Sequence, residues 1–340
     1  MSNKVNIKVV KNFGLQYAIY FVFVALVLII TIKEPSFLSL NNFRNILSMS
    51  ATRVIFAMGM GAVLITGGVD LSAGRQVGLA AVISASLLQS VDYSRRMYPD
   101  MPVLPLIIPI IIAMAACGIF GFLNGVFVTK LKVPAFIATL GTMVAVYGAT
   151  SLYFDRPPYG AQPIGGLDRR FSALGTGYIG FDGAYSIPYI VIIAAVVTFI
   201  TWVLFNKTTY GKNIYAIGGN AEAAKVSGVN VTRTLITVYT VAGILYGLGG
   251  SLEAARTGGA TNNYGNGYEL DAIAACVVGG VSNLGGIGTV PGIVIGVLIL
   301  SVINYGLTFI NMSPYWQNVV KGAIIIAAVA LDIRKYLSKR

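Results

Sequence analysis

The chain has 340 residues, 56% of them hydrophobic and only 11% charged, with a formal net charge of +12. It contains no histidine, which excludes imidazole proton relays, histidine metal sites and a Ser-His-Asp triad. Cys117 and Cys276 both lie in apolar runs far apart in the sequence, and read as helix filler rather than a disulfide or metal pair.

An α-helix needs about 20 apolar residues to cross the hydrocarbon core. Backbone groups inside lipid must be satisfied within the protein, so apolar runs of that length must be helices. Such runs fall at 17–32, 48–66, 75–91, 105–129, 135–153, 187–205, 234–256, 270–281, 289–310 and 315–331. The expected fold is an all-α polytopic membrane protein with about ten transmembrane helices, some of them glycine-interrupted or half-spanning. The first run follows Lys4, Lys8 and Lys11 but lacks a small-residue cleavage site, so it reads as a retained span rather than a signal peptide.

Ten crossings put both termini on one side. That side collects the N-tail lysines, Lys130, Lys132, Lys207, Lys212, Lys225, Arg233, Arg334, Lys335, Lys339 and Arg340. The opposite side has Lys33, Arg44, Arg95, Arg96, Arg156, Arg169 and Arg170. The richer side is cytoplasmic by the positive-inside rule, which also accounts for the basic charge without nucleic acid. The organisation is then a cytoplasmic N-tail at 1–16, a membrane domain at 17–331 and a cytoplasmic C-tail at 332–340. Loop 154–186 lies outside and the basic loop 206–233 inside. The run at 270–281 is short for a full crossing and is followed by the glycine-rich 279–288. It can be a half-helix that re-enters, which lipid permits only where protein or a water path covers it.

Residues 67–74 (GGVDLSAG) and 279–286 (GGVSNLGG) resemble each other, and each joins one apolar run to the next. Glycine-broken segments at corresponding places in two halves are how transporters build a substrate path; two glycine-rich turns alike by chance are the alternative. Asp70 lies in the first break. Intramembrane acids are functional candidates by default, but the favoured reading is that Asp70 or Ser72 caps a helix starting near Ala73, and the two roles can coexist. Arg75 can pair with Asp70 or snorkel to the inner surface.

The basic loop encodes a complete short helix over 220–228. Asn220 is an N-cap, Glu222 suits the positive first turn, Ala223 and Ala224 propagate, and Gly228 can stop the helix in the left-handed conformation. A helix of two turns is marginal alone and must dock on something: a cytoplasmic motor subunit, the membrane surface or its own bundle. The chain has no phosphate-cradling loop, because its one Gly-Lys (Gly211-Lys212) is followed by Asn213 and has Asn206 where the first glycine belongs. It does not hydrolyse ATP by itself, and no cofactor or metal site is expected.

Glu253 and Arg256 can pair on one helix face. Asn262, Asn263, Asn266, Tyr264 and Tyr268 follow, amides and rings of the kind a neutral polyol uses, or else a wet outer loop. Lys321 lies within the last span and must face the bundle or a water path. Asn124, Asn304 and Tyr305 are further polar positions inside spans, where interhelical hydrogen bonding is the default role.

Taken together, these segments resemble the membrane permeases of sugar-uptake ABC transporters of the ribose/galactose type. The resemblance rests on Gly67–Ala81 (GGVDLSAGRQVGLAA), Pro134–Thr142 (PAFIATLGT), Gly211–Val231 (GKNIYAIGGNAEAAKVSGVNV), Glu269–Thr289 (ELDAIAACVVGGVSNLGGIGT) and Pro314–Lys321 (PYWQNVVK). It implies a homodimer in the bacterial inner membrane, a cytoplasmic ATPase subunit with two nucleotide cassettes in one chain, and a periplasmic sugar-binding protein. It implies ATP-driven, alternating-access import of a hexose, galactose or its methyl glycoside, with a ribose or other pentose permease as the alternative. The ATPase-coupling candidates are Gly218, Gly219, Asn220, Glu222, Ala223, Lys225, Ser227 and Gly228. The path candidates, which the resemblance does not identify, are Asp70, Ser72, Asn124, Glu253, Asn262, Asn263, Asn304, Tyr305 and Lys321. An ion-coupled transporter working alone is a further class, and would need intramembrane acids such as Asp70 and Glu253 as coupling sites.

Overall fold

A computed structural model describes residues 23–156, 160–180 and 186–337. The N-tail and the start of the first predicted span lie outside the described residues. The helices, in chain order, are α1 (Phe23–Lys33), α2 (Leu40–Ile65), α3 (Ala73–Leu87), α4 (Ile107–Thr129), α5 (Ala135–Phe154), α6 (Arg169–Thr176), α7 (Tyr189–Lys207), α8 (Thr209–Gly219), α9 (Ala221–Val226), α10 (Val231–Thr257), α11 (Tyr268–Val278), α12 (Val290–Phe309) and α13 (Pro314–Leu337). A 3-10 turn at Pro35–Leu38 enters α2. One small antiparallel ribbon, β1 (Tyr178–Ile179) with β2 (Ile187–Pro188), sits before α7.

Each of the ten predicted apolar segments contains a helix. Only α2, α4, α5, α7, α10 and α12 are long and apolar enough to cross a membrane by length and composition among the described residues, so the tally of ten full crossings is not reached on that measure. Helix α11 has 11 residues, or about 16 Å at 1.5 Å each, roughly half the hydrocarbon thickness. It is a half-length helix, one of the two forms its short apolar run left open. Helix α13 runs on to Leu337, so the predicted C-tail begins as helix.

Local chemistry sets the ends. Ser39 caps α2 by accepting the Asn42 amide, Asn230 caps α10 through Arg233, and Thr289 caps α12 through Gly292. Helix α10 stops where Gly258 takes a φ of 79°, a left-handed end that glycine adopts without a Cβ penalty.

Helix α10 is the centre of the bundle and packs on α2, α3 and α4. Glycines on both sides make the approach possible. A Cβ on Gly121 or Gly125 of α4 would strike the α10 backbone at Tyr239 or Ile236, and one on Gly243 or Gly247 of α10 would strike α4 at Cys117 or Ala113. Lipid tails are as apolar as leucine, so close backbone packing supplies the cohesion that hydrophobic burial supplies in water. Burial separates centre from edge: 78% of the most apolar stretch of α2 is buried, against 22% for α7. Ile111, Ile119 and Phe122 of α4 and Val196, Phe199 and Ile200 of α7 are exposed, as lipid-facing residues should be.

Candidate functional site

The short helix predicted over 220–228 is present as α9. The Asn220 Oδ1 accepts the Ala223 amide at 2.9 Å, and the chain leaves the helix through Gly228 at a φ of 88°. Ala224 is buried, whereas Glu222, Ala223, Lys225, Ser227 and Gly228 are exposed, and Val226 is 89% exposed. Helix α8 before it is the part that docks. A Cβ on Gly218 would collide with the Ile65 carbonyl and crowd the Gly286 amide, and the Gly218 carbonyl lies against Gly285. The Gly286 amide donates to Ile65 O at 2.8 Å, and the Tyr215 hydroxyl donates to Gly288 O at 2.8 Å. The two glycine-rich breaks, matched only by pattern in the sequence, therefore touch each other at Gly67 and Gly285, and α8 is seated on the second break and on the end of α2 just before the first.

The first break leads to a buried polar network. Asp70, Ser72, Gln76 and Asn124 are all 0% exposed. Asp70 Oδ1 accepts from the Ser72 amide at 2.9 Å and from its hydroxyl at 2.5 Å. Ser72 Oγ in turn accepts from Gln76 Nε2 at 2.8 Å and Asn124 Nδ2 at 3.0 Å, and Asn124 Oδ1 accepts from Thr142 Oγ1 at 2.6 Å. The Tyr246 hydroxyl faces Asp70 from α10. The side chain of Ser72, the N-cap residue of α3, makes no capping bond; Asp70 holds the Ser72 amide instead. The network ties the break to α3, α4 and α5. Gln76 and Thr142 lie in quoted motifs but were not among the path candidates, although Gln76, four residues beyond Ser72 on one helix face, was a readable signal.

A second group surrounds Glu253, which is 1% exposed. It accepts from Arg256 at 2.7 and 2.9 Å and from Thr52 at 2.6 Å, and the Tyr268 hydroxyl lies 3.4 Å away. The predicted Glu253–Arg256 pair is formed, and it joins α2, α10 and α11. Lys321 of α13 pairs with Asp271 of α11 at 2.8 Å. Asn262 donates to Ser151 Oγ at 3.2 Å. Tyr305 donates to Asn42 at 2.8 Å and stacks on Phe309; with Asn304, whose carbonyl accepts from Thr308, it belongs to an α2–α12 contact apart from the Asp70 network.

Arg75 departs from both sequence expectations. It pairs with neither Asp70 nor the inner surface. Its guanidinium donates to Asn263 Oδ1 at 3.3 Å and Asn266 Oδ1 at 2.9 Å, and lies 4.4 Å from the centre of the Tyr147 ring. The next residue fixes its depth. The Gln76 carbonyl accepts from Cys117 Sγ, midway along α4, and the Gln76 side chain lies beside Gly243, midway along α10. A charge at mid-membrane costs about 2.5–3.5 kcal/mol even on mild scales. Interhelical hydrogen bonds return about 0.6 kcal/mol each, and an exposed cation–π contact about 0.5–1 kcal/mol. Two such bonds and one ring contact fall short of that cost, which leaves Arg75 to draw on the longer-range attraction of Glu269 and on water.

A multi-pass helical bundle, glycine-broken helices and an exposed basic loop seated beside those breaks fit a membrane-embedded transport protein. Comparison with known proteins agrees: the chain belongs to the family described as branched-chain amino acid transport system / permease component, matched over residues 42–329. It is 52% identical over 332 residues to the galactose/methyl galactoside import permease protein of Haemophilus influenzae, covering 97% of this chain and 98% of that one. The protein of the same description from Escherichia coli is 53% identical over 95% of each chain. The ribose import permease protein of Bacillus subtilis is 42% identical over 91% of this chain and 90% of that one. No solved structure matches the chain.

Proposed function

We propose that this chain is the permease subunit of an ATP-driven importer of galactose and its methyl glycoside, in the bacterial inner membrane with both termini cytoplasmic. The observation that carries the reading is the identity of just over half, end to end, with two galactose/methyl galactoside import permeases. The lower identity to a ribose permease keeps a pentose as the second reading.

A second copy of the chain completes the path. A cytoplasmic ATPase with two cassettes grips the exposed residues of α9, and a periplasmic binding protein delivers the sugar. The seat of Gly218 on Ile65 and on Gly285–Gly286 supports α8–α9 as the coupling element. Any displacement of α8 pushes on both breaks, and the first break carries the Asp70 network that locks α3, α4 and α5. Coupling then needs no long relay, only a rigid lever on two bistable joints.

The test is uptake in proteoliposomes holding the permease with its ATPase and binding protein. Labelled galactose should accumulate only with ATP, unlabelled methyl galactoside should compete and ribose should not, and collapsing ion gradients should change nothing. Uptake by the permease alone, or its loss with the ion gradient, would sink the reading. Gly218→Ala moves the seat, and Asn220→Ala removes a cap worth about 1 kcal/mol. In both, ATP hydrolysis should continue while uptake falls; normal uptake in either would remove the coupling role.

A further inference from the structure

Among the described residues three basic side chains are neutralised in ion pairs. Arg256 holds Glu253, Lys321 holds Asp271 and Arg170 holds Asp168. Arg75 is different. Among the described residues it has no carboxylate within ion-pair distance, and its hydrogen-bond and ring partners are the neutral Asn263, Asn266 and Tyr147. Glu269 acts on it only as a longer-range attraction, with its Oε2 turned against Gly74 and bonded to nothing described.

This charge lies at the middle of the bundle on an open face. Asn263 and Asn266 are exposed, Tyr147 is 39% exposed, and nothing stands within 4 Å of where a side chain would begin at Gly141 or Gly148 on the same helix. A cation and two exposed amides at that depth are not a lipid-facing set; charged groups there face a water path or a protein interior.

We propose that Arg75, Tyr147, Asn263 and Asn266 form a sugar-contacting station at mid-depth in the translocation path. The proposal deepens the permease reading and rests on it. The chemistry suits a neutral hexose. The guanidinium offers several fixed N–H donors to hydroxyl oxygens, the two amides donate and accept, and the phenol ring offers an apolar face. Tyr147 and the asparagines already hold Arg75 in place, so a passing sugar meets an ordered group. No carboxylate anchors the sugar, which keeps the station weak, and a path must release what it binds.

The test uses the assembled importer in proteoliposomes. Native Cys117 and Cys276 are both 0% exposed, so a membrane-impermeant thiol reagent has a quiet background. Asn266→Cys and Tyr147→Cys should be labelled, and galactose should slow the labelling. Arg75→Gln, once shown to assemble with the ATPase, should lower galactose uptake about tenfold by losing contacts made along the path. Resistance of both cysteines to the reagent overturns the water path. Wild-type uptake by Arg75→Gln overturns the station. Failure of the unsubstituted complex to import galactose instead overturns the permease reading for that sugar, whereas labelling still decides whether the cluster faces water.

Discussion

Asp70 and Arg75 lie five residues apart, both at membrane depth, yet the fold treats them in opposite ways. Asp70 is sealed inside one subunit and held by Ser72, with Gln76, Asn124 and Thr142 bonded in turn. Arg75, in the first turn of α3, points to the open face and meets only exposed or half-exposed partners. Both are costly in lipid. The first is met by a buried hydrogen-bond network, in which Asp70 Oδ2 still lacks a partner among the described residues; the second meets only neutral polar partners on the open face. One charge serves the architecture of the bundle and the other its surface, and five residues of sequence separate the two roles.

The contrast has consequences for stability. Asp70→Ala orphans the Ser72 amide and hydroxyl, at about 1–3 kcal/mol per buried group. The thermal midpoint in detergent should fall sharply. Arg75→Ala should stay within about 0.5 kcal/mol, like other open-face changes. Equal losses would break the comparison.

The glycines sharpen it at a smaller scale. Gly121→Ala drives a methyl into the Tyr239 carbonyl and should cost about 1–3 kcal/mol. Gly148→Ala enters open space and should gain up to about 1 kcal/mol of helix stability. Paired unfolding midpoints check this; a destabilising Gly148→Ala would mean that the α5 face is covered within the subunit.

The smallest effect lies at the start of α6. Asp168 caps α6 at the Arg170 amide, and the Arg170 side chain bonded to it holds its carboxyl below the ordinary 3.8. A lowered pKa means that the contribution is complete above 3.8 and fades as pH falls through the folded value. The pair is largely solvated, so the change is slight. Asp168→Asn should flatten the acid side of the stability profile by that amount; an unchanged slope would show that the pair does nothing.

Much of the architecture was legible in the chain. Run length and apolarity located all ten helical segments, because lipid leaves no other backbone solution. Asn220, Glu222 and Gly228 announced α9, since capping is local chemistry. The pairing of Glu253 with Arg256 followed from a spacing of three. What sequence could not decide was which way each polar side chain of a span points. Asn124 and Asn304 were both read as polar positions inside spans, yet Asn124 is sealed in a buried network and Asn304 is only half-buried, apart from it. Arg75 was misread because snorkelling assumes a charge near a helix end at the surface, whereas the helix it begins starts at mid-depth. The joining of the two glycine breaks under Gly218 was equally hidden. Composition and periodicity fix which segments leave water, because transfer free energy adds along the chain. Which charge is sealed and which is left wet depends on contacts between residues as distant as 75 and 263, and only packing brings those together.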